Sequence, residues 1–146
     1  MRPLIAYFDT SAFANSVFAD LGHQRIDRWI EERRPTLCYS DWLYGEFVAA
    51  VARRVRATGL DDTTSESLIT AAERYLADWS KETVTADDLE RAIAFVRRFQ
   101  LGLHLPDAIH VAVAQRLDAT LITTDRQQLR AARALGVPVT DPTRPE

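Results

Sequence analysis

Residues 4–8, Leu-Ile-Ala-Tyr-Phe, form an unbroken apolar run that stops at Asp9-Thr10-Ser11. A run of strand length with no polar alternation suits a strand covered on both faces, and Asp, Thr and Ser are residues that open helices. Similar short runs recur at residues 36–39, 83–84, 119–123 and 137–140, separated by stretches with helical apolar spacing. Strands that alternate with helices are parallel neighbours joined by crossovers, so the chain is expected to be α/β with a mostly parallel sheet of four to five strands.

The helical stretches carry recognisable starts and stops. A first helix is expected over about residues 11–19, and Ile26, Trp29 and Ile30 space a second that breaks before Pro35. Ser40 is placed to cap a helix over about residues 41–57, with Leu43, Phe47, Ala50 and Val51 facing the core and Gly59 ending it. Thr63-x-x-Glu66 reads as a capping box before a helix with Leu68, Ala72, Tyr75, Leu76 and Trp79 on one side. Thr85 caps a helix whose Leu89, Ala92, Ile93, Val96 and Phe99 are expected inward, and Pro106 suits the first position of the next. Leu129, Ala132 and Leu135 space a last helix, Pro-Thr-Arg-Pro-Glu at 142–146 is expected to fray, and residues 1–141 are expected to be one domain.

Composition narrows the function classes. The 146 residues include 18 basic and 21 acidic side chains, a net charge of −3, which disfavours nucleic-acid binding by bulk attraction. One cysteine, Cys38, leaves no disulfide framework or thiolate cluster, and a reducing cytoplasmic setting fits best. The five apolar residues before Asp9 are too few for a signal-peptide core, and no stretch reaches the ~18 residues of a membrane span, so no membrane association is expected. Lys81 is the only lysine, which leaves a single candidate for any lysine-dependent mechanism.

In a parallel sheet the functional groups gather where strands end and the following helices begin. Asp9 follows the first strand, Glu46 lies early in the helix after the second, Asp107 opens the helix before the fourth, and Asp125 follows the fourth. Each alone suits a helix cap or a solvated surface, but four converging carboxylates repel unless a cation neutralises them. With oxygen donors and no His or Cys cluster, that cation is Mg²⁺ or Mn²⁺ rather than zinc. Such a cation activates water and stabilises charge on a phosphoryl oxygen, so phosphate-ester hydrolysis is the leading chemistry.

The blocks Tyr7-Phe-Asp9-Thr-Ser11-Ala12, Ser40-Asp-Trp-Leu-Tyr-Gly-Glu46-Phe, Leu105-Pro-Asp107-Ala-Ile-His110 and Leu121-Ile-Thr123-Thr-Asp125 resemble those of PIN-domain ribonucleases, particularly VapC-type toxins. The resemblance spans nearly the whole chain and implies a three-layer α/β/α sandwich. It implies that Asp9, Glu46, Asp107 and Asp125 form a metal-binding acidic quartet, with Ser11 and Thr123 as its hydroxyl positions. It further implies cleavage of single-stranded or looped RNA to a 5′-phosphate and a 3′-hydroxyl, inhibition by a cognate antitoxin, and a homodimer. On chemical grounds Asp9 and Asp107 are the most direct ligands, while Glu46 and Asp125 act through water or deprotonate it, with the general base left open.

Other positions divide between site and scaffold. Arg53, seven residues after Glu46 and so roughly 10 Å along the same helix face, is a candidate phosphate contact, or else one of several solvated arginines near the helix end. His110, one turn beyond Asp107, could touch the site, but is expected to be a packed, hydrogen-bonded histidine, and Gly45 to mark tight packing or a close approach near Glu46. Trp42 and Tyr44 could stack bases and Phe47 belongs to the core, while Trp79 is a candidate for a dimer or partner surface. A receiver domain is disfavoured because Phe8, not a second acid, precedes Asp9, and a dehalogenase-type phosphatase because Ser11 stands where its second aspartate belongs. The alternative of another class is a catalytically silent PIN module that binds RNA or a protein partner.

Overall fold

The structure, a computed structural model, describes residues 2–145. Its elements run β1 (Ile5–Phe8), α1 (Thr10–Val17), α2 (His23–Arg33), β2 (Thr36–Ser40), α3 (Asp41–Thr58), α4 (Asp62–Leu76) and β3 (Ser80–Glu82). They continue α5 (Ala86–Arg97), a 3-10 turn at Phe99–Leu101, α6 (Leu105–Arg116), β4 (Thr120–Ile122), α7 (Arg126–Ala134) and β5 (Val139–Thr140). The five strands form one all-parallel sheet in the order β3-β2-β1-β4-β5. The chain winds outward from β1 to β2 and β3, then returns to the other flank of β1 for β4 and β5. The strand order therefore reverses between β1 and β4, and a parallel sheet opens its crevice at that reversal.

Strand alternation splits the interior in two. Ala6 and Phe8 of β1 and Ile122 of β4 point into a core with Phe13, Ile26, Leu43, Phe47 and Leu76, beneath α1 to α4. Tyr7, Cys38 and Leu121 point the other way, into a core with Ala92, Phe95, Ile109 and Val113 beneath α5, α6 and α7. The result is the expected three-layer sandwich. Helix α6 has Ala108 to Ala114 buried throughout, because its neighbours cover every side of it.

Several local expectations are corrected. The third strand is Ser80–Glu82 and not Thr83-Val84; a polar edge strand carrying Lys81 leaves no apolar run to detect. The last strand has only Val139 and Thr140, although the Pro138 carbonyl before it still accepts from Leu121 N–H at 2.8 Å. The cap of α4 is Asp61, whose carboxylate accepts Thr64 N–H at 2.7 Å, and not Thr63. On α5 the buried face is Asp88, Ala92 and Phe95, while Leu89 and Ile93 are 41% and 45% exposed and Phe99 lies outside. Asp88 turns the helix this way: it completes a capping box with Thr85 and takes a two-pronged ion pair from Arg116 of α6 at 2.8 and 3.0 Å. Trp79 follows α4, packs edge-on against Phe8 and Phe13 and stays partly exposed beside Tyr39 and Tyr44. Tyr75, expected inward, is exposed. The segment expected to fray is held at Thr143, whose carbonyl accepts from Arg25 and whose N–H is capped by Asp141; Glu146 lies outside the described residues.

Candidate active site

Asp9 sits where β1 ends, at the reversal point of the sheet. Its N–H bonds the Ile122 carbonyl of β4 at 3.0 Å, and its carboxylate caps α1 by accepting Ala12 N–H at 2.9 Å. Ser11 Oγ donates to the same carboxylate at 2.7 Å, and Thr123 Oγ1, just past β4, donates to Oδ2 at 2.6 Å. Asp9 therefore caps α1 while standing at the sheet's reversal point. Burial pushes the Asp9 carboxyl above its ordinary range, although His110 and these donors pull it back.

Thr123 is the joint of the site. While its hydroxyl donates to Asp9, it accepts Asp125 N–H at 3.0 Å, and Ser11 Oγ lies 3.2 Å away. Asp125 caps α7 through Oδ1 to Gln128 N–H at 2.9 Å, which leaves Oδ2 free of hydrogen bonds among the described residues. The fully buried Gln128 donates through Nε2 to the Asp107 carbonyl at 3.0 Å and so ties the start of α6 to α7.

The Asp107 carboxylate makes no hydrogen bond among the described residues. Burial, then the charges of Asp125 and Asp9, then Glu46, push its carboxyl up to about 6, against an opposing pull from His110. The four acids named from the sequence thus share one electrostatic site, and Asp107 bears the cost of their crowding. Glu46 enters from α3. Burial would raise it, but bonds from His110 and Thr10 and the nearby charge of Arg53 outweigh that and hold its carboxyl below the ordinary range. Arg53 is exposed and acts on Glu46 through its charge; no direct bond joins them among the described residues.

The donor set fits a hard divalent cation: four carboxylates, three of them with an uncommitted oxygen or more among the described residues, and mutual repulsion that a cation would relieve. Among the described residues no three such groups close up into a ready-made cage, so a cation here would keep waters and take few carboxylates at a time. Cys38 is no competitor, since burial pushes its thiol up to about 12.

The sequence reading missed Thr10, Tyr7, Ser40 and Gln128 as site residues. Thr10 and Ser40 looked like helix starters, but Ser40 makes no capping bond and instead lies 2.8 Å from the Tyr7 hydroxyl. Gln128 carried no sequence signal, since its side chain bonds the Asp107 carbonyl across the fold and not its own helix cap. Gly45 marks no close approach: a Cβ there would meet nothing within 4 Å, and it borders an open groove of about 460 Å³ with Trp42, Glu46, Ala49 and Val84. Tyr44 bonds Glu73 and leans on the core, while Trp42 stays partly exposed beside that groove.

The PIN domain family model matches residues 6–134, which takes in all four acids. The chain belongs to the PIN domain family. Solved structures agree in fold. A toxin–antitoxin complex from Klebsiella pneumoniae is 23% identical, with a TM-score of 0.65 over 94% of this chain and 97% of that one. The Mycobacterium tuberculosis toxin VapC20, described as cleaving the sarcin-ricin loop, is also 23% identical, at a TM-score of 0.67 over 90% and 95%. FitAB bound to a DNA fragment aligns at 0.74 over 97% and 98% with 16% identity. No curated protein sequence matches significantly. At these identities the PIN domain shares an architecture with those proteins. No helix among its described residues is long and apolar enough to cross a membrane.

Proposed function

We propose that this PIN domain is a Mg²⁺- or Mn²⁺-dependent endoribonuclease and the toxin of a toxin–antitoxin pair. What supports this reading most is the shared electrostatics of Asp107 with Asp125, Asp9 and Glu46 beside the sheet's reversal point, with Asp9 and Asp125 joined through Thr123 and Glu46 bonded by His110 and Thr10. The solved structures of similar fold described as toxins and toxin–antitoxin complexes support it further.

Asp9 and Asp107 would hold the cation, with Asp125 and Glu46 reaching it through water. When bound, the cation supplies charge on a phosphoryl oxygen and a more acidic water. The protein's own part is to position and to move a proton. Glu46, held in its ionised form, takes a proton from the attacking water, whose oxygen bonds phosphorus while the bond to the 3′ oxygen breaks and that oxygen takes a proton from solvent. The products are a 5′-phosphate and a 3′-hydroxyl. Arg53 near Glu46, and Arg126 directly after Asp125, supply positive charge at the rim for flanking phosphates. Arg126 shares an open crevice of about 620 Å³ with Arg25 and Arg144. The exposed Leu89 and Ile93, one turn apart on α5, offer an apolar seat for a second copy, in keeping with a homodimer working in the cytoplasm.

The test is cleavage of a mixed RNA pool with and without Mn²⁺, using Asp9→Asn as control. Metal-dependent cutting by the wild type, lost at least ~100-fold in the variant, is the expected result. Equal cutting by both proteins overturns the assignment, and RNA binding without cutting by either favours the silent module.

A further inference from the structure

His110 is 1% exposed, on α6 one turn beyond Asp107, and both its ring nitrogens are engaged. Nε2 lies 2.6 Å from Glu46 Oε1 and 3.2 Å from Thr10 Oγ1, while Nδ1 lies 2.7 Å from the Tyr7 hydroxyl. That hydroxyl in turn lies 2.8 Å from Ser40 Oγ, and Tyr7 is wholly buried in β1. A carboxylate can only accept, so Nε2 must carry a hydrogen toward Glu46. Thr10 Oγ1 also donates to Oε1, at 2.7 Å. Both donors therefore converge on one oxygen of Glu46, and Oε2 takes no hydrogen bond among the described residues.

We propose that Ser40, Tyr7 and His110 form a buried relay that sets the hydrogen on Nε2, locks Glu46 through Oε1 and presents Oε2 alone to the cation and water. In this arrangement Nε2 donates to Glu46, while Nδ1, the Tyr7 hydroxyl and Ser40 Oγ form one hydrogen-bonded chain behind the ring. His110 is a positioning residue: it acts through Glu46 and touches no substrate. The relay joins β1, β2, α3 and α6, so the carboxylate most remote from the Asp9 cluster is fixed to the same rigid frame. Partners of this kind around a metal-facing group typically carry a 10–100-fold effect on affinity or rate.

The inference rests on the proposed nuclease reading, and three measurements separate the two. In metal-free protein, ¹⁵N NMR of the imidazole is expected to show hydrogen on Nε2 of His110, with Tyr7→Phe weakening its bond to Glu46; an Nε2 without hydrogen overturns the relay. Mn²⁺ affinity, read by electron paramagnetic resonance, is expected to fall about 10-fold in His110→Ala. It should return to within about 3-fold of wild type in His110→Gln, whose amide nitrogen can occupy the Nε2 position. RNA cleavage is expected to lose kcat in His110→Ala with little change in KM. Wild type that binds Mn²⁺ and cuts RNA while His110→Ala matches it in both overturns the inference alone. Wild type that neither binds nor cuts overturns the nuclease reading and the inference with it. If His110→Ala does not fold, Tyr7→Phe keeps the ring volume, and an unchanged Mn²⁺ affinity there overturns the relay.

Discussion

At the scale of single residues, Asp107 shows what it costs to assemble such a site. Its carboxyl is raised to about 6 from 3.8, so between those values the folded chain holds a proton that the unfolded chain has lost. Stability from this group is therefore complete below about pH 4 and is lost as pH rises through about 6. Asp107→Asn is expected to stabilise the fold above that range by about 1 kcal/mol, after allowing for solvent at a half-buried site, a rise of about 2–4 °C in melting temperature. The variant should also lose the stabilisation that added Mn²⁺ gives the wild type. A lower melting temperature at pH 7.5 would show that Asp107 is not crowded by its neighbours. The four acids were legible because each stands at a strand end or helix start. The partners of His110 were not: a tyrosine in an apolar strand looks like packing, and only the sheet register brings its hydroxyl to the His110 ring.

At the scale of elements, what decided legibility was apolar patterning. β1, β2 and β4 announced themselves as apolar runs, and α3, α6 and α7 by helical spacing, whereas polar β3 gave no such signal. The face of α5 was misread for a related reason, since its orientation follows the buried Asp88–Arg116 pair, which no hydrophobic stripe encodes. Helix α3 offers a direct test. Gly45 has helical geometry and open space at its Cβ position, so Gly45→Ala is expected to raise stability by about 0.5–1 kcal/mol in thermal or urea unfolding. Destabilisation would mean that the groove beside Glu46 is tighter than the geometry shows. If the variant is more stable and yet cuts RNA more slowly, the groove receives substrate.

For the whole molecule, the net charge of −3 takes on a local meaning. Without Asp9, Glu46, Asp107 and Asp125 the chain has 18 basic and 17 acidic residues, so the acidity belongs to the site itself. On the proposed reading, RNA would be held by a few rim arginines and the cation rather than by a basic surface. Its affinity, measured with the inactive Asp9→Asn protein, is expected to fall only gently with salt, with a log–log slope of about −1 to −3. A slope steeper than about −5 would show broad phosphate contact and overturn this picture.

The bond from Thr123 to Asp9 spans 114 residues, and β1 gains its second neighbour only when β4 arrives. On a ribosome Asp9 and Glu46 are therefore made well before Asp107, Asp125 and the hydroxyl that follows β4. On the proposed nuclease reading, a chain built this way stays inert until β4 has joined the sheet and brought that hydroxyl to Asp9.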